Sequence, residues 1–198
     1  MAKVIQFPVP NPEKFGFKPV RKRGREEPNK HGQLNLFTGA KVVSLHKLSL
    51  FEQALLLDEQ GDAQAAEVYQ QAIDAGDSVA DAYCNLGILE SEKKNLTKAV
   101  DCFTKSLKAD PRHFEAHYNL ANVYAEIGNY PLAKIHYQIS IEMEPTFPNS
   151  HFNLGLTLAM NREIEDAIKS LLHYKSLVAH DEQSQAEELI SNLARSIR

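Results

Sequence analysis

The chain has 198 residues, a hydrophobic fraction of 43% and a net charge of −4. This composition supports a folded core, and no apolar run approaches the roughly 18 residues that span a bilayer. The first residues lack an apolar segment of the length typical of a secretory signal. The cysteines, Cys84 and Cys102, show no spacing typical of a disulfide framework. We therefore expect a cytoplasmic protein without membrane contact.

Charge is distributed unevenly along the chain. Residues 1–47 hold 10 Lys/Arg and 3 Asp/Glu, a net charge of +7, whereas residues 48–198 hold 12 and 23, a net charge of −11. Residues 1–43 are rich in proline and carry a basic cluster from Arg21 to Arg25, so we predict a flexible arm there. The cluster could make weak contacts with nucleic-acid phosphates. The alternatives are a solubilising tail, or contact with the acidic body of the same chain.

A short apolar segment interrupts this arm. Gln33-Leu34-Asn35-Leu36-Phe37 places three large apolar side chains among polar residues, and clustered apolar groups usually mark a contact. The segment resembles the pentapeptide with which bacterial replication and repair proteins bind the DNA sliding clamp. In that family the Leu-Phe pair fills an apolar pocket, so the resemblance implies tethering to the clamp through these five residues. In the alternative, the apolar side chains attach the arm to the first repeat helix.

Helical patterns begin after Val42. Ser49 and Glu52 have the spacing of a capping box at a helix start, and this helix is predicted to stop near Gly61. A second helix is predicted to follow and to reach Gly76. This pair is a diverged first copy of the repeat described next, with a turn that differs in length by about one residue.

The sequence between Ala80 and Ala179 repeats itself at intervals of about 34 residues. A period in the 20–50 range indicates stacked helical hairpins. The columns that keep this spacing are Asn85, Asn119 and Asn153; Leu86, Leu120 and Leu154; Ala99, Ala133 and Ala167; Phe103, Tyr137 and Leu171. Small residues in a further column, Gly87, Ala121 and Gly155, are expected to let the two helices of a hairpin approach closely.

Local signals mark where the later helices begin and end. Ser78 and Asp81 are interpreted as a second capping box. Asn129, with Pro131 two residues later, is typical of a helix start. After His180 an amphipathic segment opens at Ser184, and we interpret it as a helix that covers the last repeat.

These columns resemble the tetratricopeptide repeat, a helix-turn-helix unit of about 34 residues. Tyr83, Leu86-Gly87, Ala99, Phe103 and Pro111 meet its pattern of aromatic, Leu-Gly, Ala, aromatic and Pro. The resemblance implies an all-α fold, a right-handed α-solenoid of about four hairpins plus a C-terminal capping helix. The implied boundaries are a domain over residues 44–180, with repeats at about 46–78, 80–113, 114–147 and 148–180, and a capping helix over 181–198.

The resemblance also implies a binding surface. In this family the first helix of each hairpin lines a concave face that holds extended peptides. The residues so assigned are Asn85, Asn119, Asn153, Tyr118, Phe152, Asn122, Ile88 and Leu156. In the alternative, the three column asparagines are structural and hydrogen-bond between helices. The basic pairs with which chaperone-tail-binding members grip a terminal carboxylate are missing, which argues against that kind of ligand.

No pattern in the sequence predicts catalysis. His113 and His117 are four residues apart on a predicted helix, but no third metal ligand accompanies them. There is no glycine-rich phosphate loop and no nucleophile elbow, so we expect no metal, no cofactor and no enzyme. The sequence predicts a protein-binding adaptor. The alternative is a DNA-replication or repair factor tethered to the sliding clamp by Gln33 to Phe37.

Overall fold

The computed structural model of the protein describes residues 48–196. Over these residues it contains nine α-helices, one short 3₁₀ turn at His180–Glu182 and no strand. The helices are α1 (Leu50–Glu59), α2 (Ala65–Asp74), α3 (Val79–Glu92), α4 (Leu96–Ala109), α5 (Phe114–Glu126), α6 (Tyr130–Met143), α7 (Pro148–Met160), α8 (Ile164–Leu177) and α9 (Ser184–Ser196). The predicted all-α class, with four hairpins and a further C-terminal helix, is confirmed.

The described residues divide into two compact units. Residues 48–116 contain α1 to α4 and the start of α5, and residues 117–196 contain the rest of α5 with α6 to α9. We call α1, α3, α5 and α7 the first helices of the four hairpins, and α2, α4, α6 and α8 the second helices. None of the helices in residues 48–196 is both long and apolar enough to cross a membrane.

The start of α1 follows the sequence prediction. The Ser49 hydroxyl accepts a hydrogen bond from the Glu52 amide at 3.3 Å, and the Glu52 carboxylate accepts one from the Ser49 amide at 2.9 Å. This reciprocal pair satisfies two amides that a helix start leaves without partners. Behind it, Phe51 packs on Tyr69 of α2 with ring centroids 5.9 Å apart. The predicted capping box is confirmed.

The second predicted capping box is wrong. Ser78 adopts a left-handed backbone conformation with φ of 51° and makes no side-chain cap at α3. Its hydroxyl instead donates to the Asp77 carboxylate at 3.4 Å, and Asp81 pairs with His113 at 3.0 Å. The Asn129 cap is confirmed, because its side-chain oxygen accepts from the Leu132 amide at 3.4 Å.

Each hairpin turns through one residue with a left-handed backbone. These residues are Gly61, Lys94, Gly128 and Arg162, with φ between 61° and 79°. In each turn the next amide bonds a carbonyl five residues earlier, as Glu163 does with Leu158 at 2.9 Å. The interval from Gly61 to Lys94 is one residue shorter than each of the two intervals that follow it. The spacing between the first two turns is therefore one residue shorter than the repeat, and α1 and α2, with 10 residues each, are also shorter than the helices of the later hairpins.

Replacing Arg162 by glycine is expected to raise the free energy of unfolding by about 0.5–1 kcal/mol, because a non-glycine residue in this conformation is strained. The strain is about 1–2 kcal/mol, and the greater freedom of glycine in the unfolded chain offsets part of the gain. Equilibrium urea denaturation measures the change. Gly128→Ala, at the equivalent turn, should shift stability in the opposite direction; a loss of stability in Arg162→Gly would contradict this account.

Two glycines allow the helices of a hairpin to approach closely, as predicted. A Cβ atom added at Gly87 would lie 2.7 Å from the ring of Phe103, and one at Gly155 would lie 2.7 Å from Cγ of Leu171. Distances this short cannot be accommodated without displacing the neighbour. The glycines of α3 and α7 therefore set the spacing to α4 and α8.

The last helix, α9, packs against the other helices of residues 117–196. Ala186 and Leu193 are buried and join the apolar core of residues 117–196. Lys175 of α8 pairs with Glu187 of α9 at 2.7 Å. An apolar side on α9 with a charged opposite side is typical of a helix that ends a stack.

Candidate functional site

A buried polar seam joins α5 and α7 in residues 117–196. Asn153 of α7 donates from Nδ2 to the hydroxyl of Tyr118 at 3.1 Å and to Oδ1 of Asn122 at 3.0 Å. Asn122 Oδ1 also accepts from the Tyr137 hydroxyl of α6 at 2.5 Å. All four side chains are buried, so these bonds replace water for groups that would be costly to leave unpaired.

The tyrosines of this seam remain neutral. Burial raises the pKa of Tyr118 to about 12, although its bonds to Asn122 and Asn153 act in the opposite direction. Burial also raises the pKa of Tyr137, with the neighbouring Tyr118 contributing in the same sense. The seam is therefore an uncharged network of hydrogen bonds among Asn and Tyr side chains, and it holds the helices in register.

Thr157 lies one helical turn beyond Asn153, on the same side of α7. Within residues 48–196, its Oγ1 is the one side-chain polar atom that is buried without a hydrogen-bond partner. A buried unpaired hydroxyl costs about 1–3 kcal/mol. Thr157→Val should therefore raise the unfolding free energy by about 1 kcal/mol in urea denaturation. A decrease would show that the hydroxyl has a stabilising contact.

A second polar network lies in residues 48–116. Asn85 of α3 donates to the Tyr69 hydroxyl of α2 at 3.1 Å, and that hydroxyl donates to Asp58 of α1 at 3.0 Å. The chain of bonds connects three helices. Burial raises the pKa of Asp58, while the bond from Tyr69 opposes that rise.

The column asparagines lie inside the protein. Asn85, Asn119 and Asn153 are each at most 1% exposed, and the hydrogen bonds described for Asn85 and Asn153 run between helices of their own unit. This arrangement supports the structural alternative for these two residues. Contact of the column with a peptide stays a prediction.

The remaining predicted site residues differ in accessibility. Ile88 and Phe152 are buried, and Phe152 packs on Tyr174 of α8 with ring centroids 5.0 Å apart. Leu156 is partly exposed and also touches the core of the second unit. The structure thus brings Tyr118, Asn122 and Asn153 into direct contact, and Leu156 is the most accessible of the predicted contact residues.

Charge separates by helix type, which the sequence analysis missed. The four first helices together carry 8 Asp/Glu and no Lys/Arg, whereas the four second helices carry 6 of each. The net charge of the whole chain hides this pattern, which emerges when charges are summed separately for each helix. Within the first helices, therefore, acidic side chains have no Lys or Arg of the same helix beside them.

Paired histidines are a second feature that the sequence did not reveal. Nδ1 of His117 on α5 lies 2.9 Å from Nδ1 of His136 on α6, and the His136 ring stacks on Tyr124 with centroids 5.6 Å apart. Burial and the neighbouring His117 lower the pKa of His136 to about 4. A second pair, His151 and His173, has ring centroids 4.2 Å apart.

The potential metal ligands and the two cysteines of the described residues have the following surroundings. Residues 48–196 contain no group of three or more His, Cys, Asp or Glu side chains arranged to hold a metal ion. Cys84 and Cys102 are buried, and burial raises the pKa of Cys102 to about 11. That thiol is therefore protonated at neutral pH and a weak nucleophile.

Two predicted contact segments lie outside the described residues. They are the apolar motif of Gln33, Leu34, Leu36 and Phe37, and the basic cluster from Arg21 to Arg25. Both stay predictions from the sequence.

Family comparisons agree with the repeat found in the sequence. Two family models described as tetratricopeptide repeat match the chain, one over residues 80–113 and the other over 102–135 and 136–169. Residues 80–169 are therefore similar to tetratricopeptide repeats. A comparison with curated protein sequences finds no significant match.

Solved structures share the fold. YrrB, a tetratricopeptide-repeat protein with an unusual peptide-binding site, is 21% identical, with a TM-score of 0.66 over 74% of this chain and 75% of YrrB. The first such domain of Spaghetti (RPAP3), bound to the HSP90 peptide SRMEEVD, is 17% identical, with a TM-score of 0.56 over 60% of this chain and 92% of that domain. The TPR2B domain of yeast Sti1, in a complex with pHsp70, is 19% identical, with a TM-score of 0.55 over 59% of this chain and 97% of that domain.

Proposed function

We propose that this chain is a non-enzymatic adaptor that binds an extended segment of a partner protein along its first helices. Support comes from the repeats in residues 80–169 and from structural neighbours that carry peptide-binding sites or bound peptides. In this proposal the domain covers residues 44–180, and residues 181–198 cap it. In this proposal the helices supply the binding surface, and the identity of the partner determines the pathway in which the protein acts.

The observation that carries the proposal is the charge of the first helices. They hold 8 carboxylates and no Lys/Arg. An extended segment bearing Lys or Arg gains favourable electrostatic interactions there, whereas an acidic segment meets like charge. The ligand class is therefore a cationic peptide segment, with apolar side chains that contact Leu156 and its neighbours.

The proposed roles of the site residues divide into two groups. Asn85 and Asn153 hold neighbouring helices together through the tyrosine bonds described above. The ligand lies against Leu156, the most accessible of the predicted contact residues, while the buried residues of the set form the layer behind that surface: Asn119, Asn122, Tyr118, Ile88 and Phe152.

Peptide selection tests the proposal. Random peptides of about a dozen residues displayed on phage are selected against the full chain, and the tightest are measured by calorimetry. The selected peptides should be enriched in Lys and Arg, and SRMEEVD should bind at least 100-fold more weakly than they do. Enrichment in Asp and Glu, or micromolar binding of SRMEEVD, would contradict the proposed ligand class.

A variant pair tests the location of binding. Leu156→Lys on α7 should weaken the selected peptides at least tenfold, because it places a cation where a cationic ligand lies. The matched control, Leu132→Lys, makes the same change on α6, where Leu132 is 37% exposed, and should leave the affinity within twofold. Circular dichroism verifies that both variants stay helical. Equal weakening by both would place binding elsewhere.

A further inference from the structure

A pair of histidines joins the two helices of the fourth hairpin. His151 lies in the first turn of α7 and His173 lies in the second half of α8, and their ring centroids are 4.2 Å apart. Both residues belong to residues 117–196, where α7 and α8 pack side by side. Two imidazoles held together on neighbouring helices are candidate ligands for a single metal ion.

The ring of His151 is oriented in the way that metal-binding histidines usually are. Its Nε2 lies 2.8 Å from the carbonyl oxygen of Pro145. Because a carbonyl oxygen can only accept, Nε2 carries the hydrogen, and Nδ1 of the neutral ring has a free lone pair. A hydrogen bond of this kind to a backbone carbonyl fixes the tautomer and the ring orientation of many metal-bound histidines. Pro145 and Pro148 restrict the backbone at both ends of the loop before α7, so this carbonyl is held in place.

The other ring nitrogens of this pair are accessible to an ion. Neither Nδ1 of His151 nor the ring of His173 forms a hydrogen bond with any of residues 48–196. In that range the one side-chain polar atom that is both buried and unpaired is Oγ1 of Thr157, so Nδ1 of His151 has contact with solvent. His173 is exposed. An ion in solution can therefore reach both rings.

The first histidine pair differs in this respect. Nδ1 of His117 and Nδ1 of His136 lie 2.9 Å apart and share a hydrogen bond, so an ion that bound there would have to displace the hydrogen between them. No hydrogen bond joins the rings of His151 and His173. The pair in the fourth hairpin is therefore the better candidate for a metal site.

The spacing of the rings fits one ion. A bond between a metal ion and a histidine nitrogen is about 2.0–2.1 Å long, which places the ion about 3.2 Å from the centre of each ring. Two rings bound at a right angle then have centroids about 4.5 Å apart, whereas a tetrahedral angle requires about 5.2 Å. The observed 4.2 Å is closer to the right angle, and rotation of the exposed His173 side chain supplies the difference. Right angles between nitrogen ligands are typical of Cu²⁺ and Ni²⁺.

We propose that His151 and His173 bind one divalent ion of the Ni²⁺ and Cu²⁺ class and thereby link α7 to α8, with water in the remaining coordination positions. The protein supplies two ligands, since residues 48–196 contain no group of three or more potential metal-binding side chains. Lys169, one turn before His173, pairs with Asp166 at 2.7 Å, which reduces its repulsion of the ion. The proposal is independent of the proposed function, because it concerns the contact between two helices and is tested without a peptide.

Calorimetric titration of the metal-free full chain with NiCl₂ measures the binding at about pH 7.5, where imidazoles are ordinarily neutral. His173→Gln removes the exposed ligand. The matched control, His180→Gln, makes the same change in the exposed turn before α9. His151→Phe removes the other ligand and keeps a ring between the two helices. Circular dichroism verifies that all three variants stay helical.

We expect His173→Gln and His151→Phe to weaken Ni²⁺ binding by at least about tenfold, because loss of even a hydrogen-bond partner of a metal ligand costs about 10–100-fold in affinity. His180→Gln should leave the affinity within twofold. Modification of the native chain with diethyl pyrocarbonate, mapped by mass spectrometry, locates the ion. Ni²⁺ should protect His173 and leave the equally exposed class of ring at His180 reactive. Equal affinity in the native chain and His173→Gln, or equal protection of His173 and His180, would overturn the proposal.

Discussion

Asn153→Ala is expected to lower the free energy of unfolding by about 3 kcal/mol, the largest effect of any single substitution considered for this protein. Asn153 is 1% exposed and donates to both Tyr118 and Asn122. Its removal leaves the Tyr118 hydroxyl without this donor inside the protein, at about 1–3 kcal/mol, and adds the penalty of a small cavity. Equilibrium urea denaturation followed by circular dichroism measures the loss.

The matched control for this substitution lies at the end of the same helix. Asn161 is exposed and donates to Glu163 at 2.6 Å, so Asn161→Ala should change stability by less than about 0.5 kcal/mol. A double-mutant cycle with Tyr118→Phe should show coupling, because both changes remove the same bond. A loss below about 1 kcal/mol in Asn153→Ala would mean that the seam does not hold α5 against α7.

Stability is expected to fall as the pH decreases from about 6.5 to 4, and His136 should account for about 2 kcal/mol of the loss. The pKa of His136 in the folded protein is about 4, below the ordinary 6.5. The unfolded chain therefore takes up the proton first, so the stabilising contribution is complete above pH 6.5 and is lost as the pH falls toward 4. The magnitude is reduced from the full linkage value because His136 is partly exposed.

The geometry explains the direction of this effect. The bond between the two Nδ1 atoms of His117 and His136 needs one donor and one acceptor, and two protonated imidazoles have no acceptor. His136→Phe keeps a ring on Tyr124 and should lose less stability between pH 7.5 and 4.5 than the native chain. His180→Phe, in the exposed turn before α9, is the control. An identical pH dependence in His136→Phe would exclude this pair as the cause.

The repeat columns predicted the fold because they encode packing. Gly87 and Phe103 keep the period of the repeat since a fixed close contact between two helices requires that pair of sizes. The left-handed turn residues are harder to predict from the sequence, because Lys94 and Arg162 occupy a position that glycine usually fills. Ser78 shows the limit of a local motif, since its Ser-x-x-Asp spacing matched a capping box while its backbone adopts a conformation that forbids one.

The candidate site was less predictable than the fold. The sequence identified the asparagine column, but whether Asn153 faces a ligand or a neighbouring helix depends on where Tyr118 and Asn122 lie, and only packing determines that. The charge of the first helices could have been found from the sequence by summing charges within each predicted helix. The histidine pairs could not, since His117 and His136 come together through the angle of the hairpin.

Hydrogen exchange in the presence of a bound peptide locates the binding surface on the helices. The full chain is exchanged with and without a saturating amount of the tightest Lys/Arg-containing peptide from the selection, and protection is mapped by mass spectrometry. We expect added protection in α1, α3, α5 and α7, with α4, α6 and α8 unchanged. Protection confined to the second helices would contradict the assignment of the first helices as the binding surface.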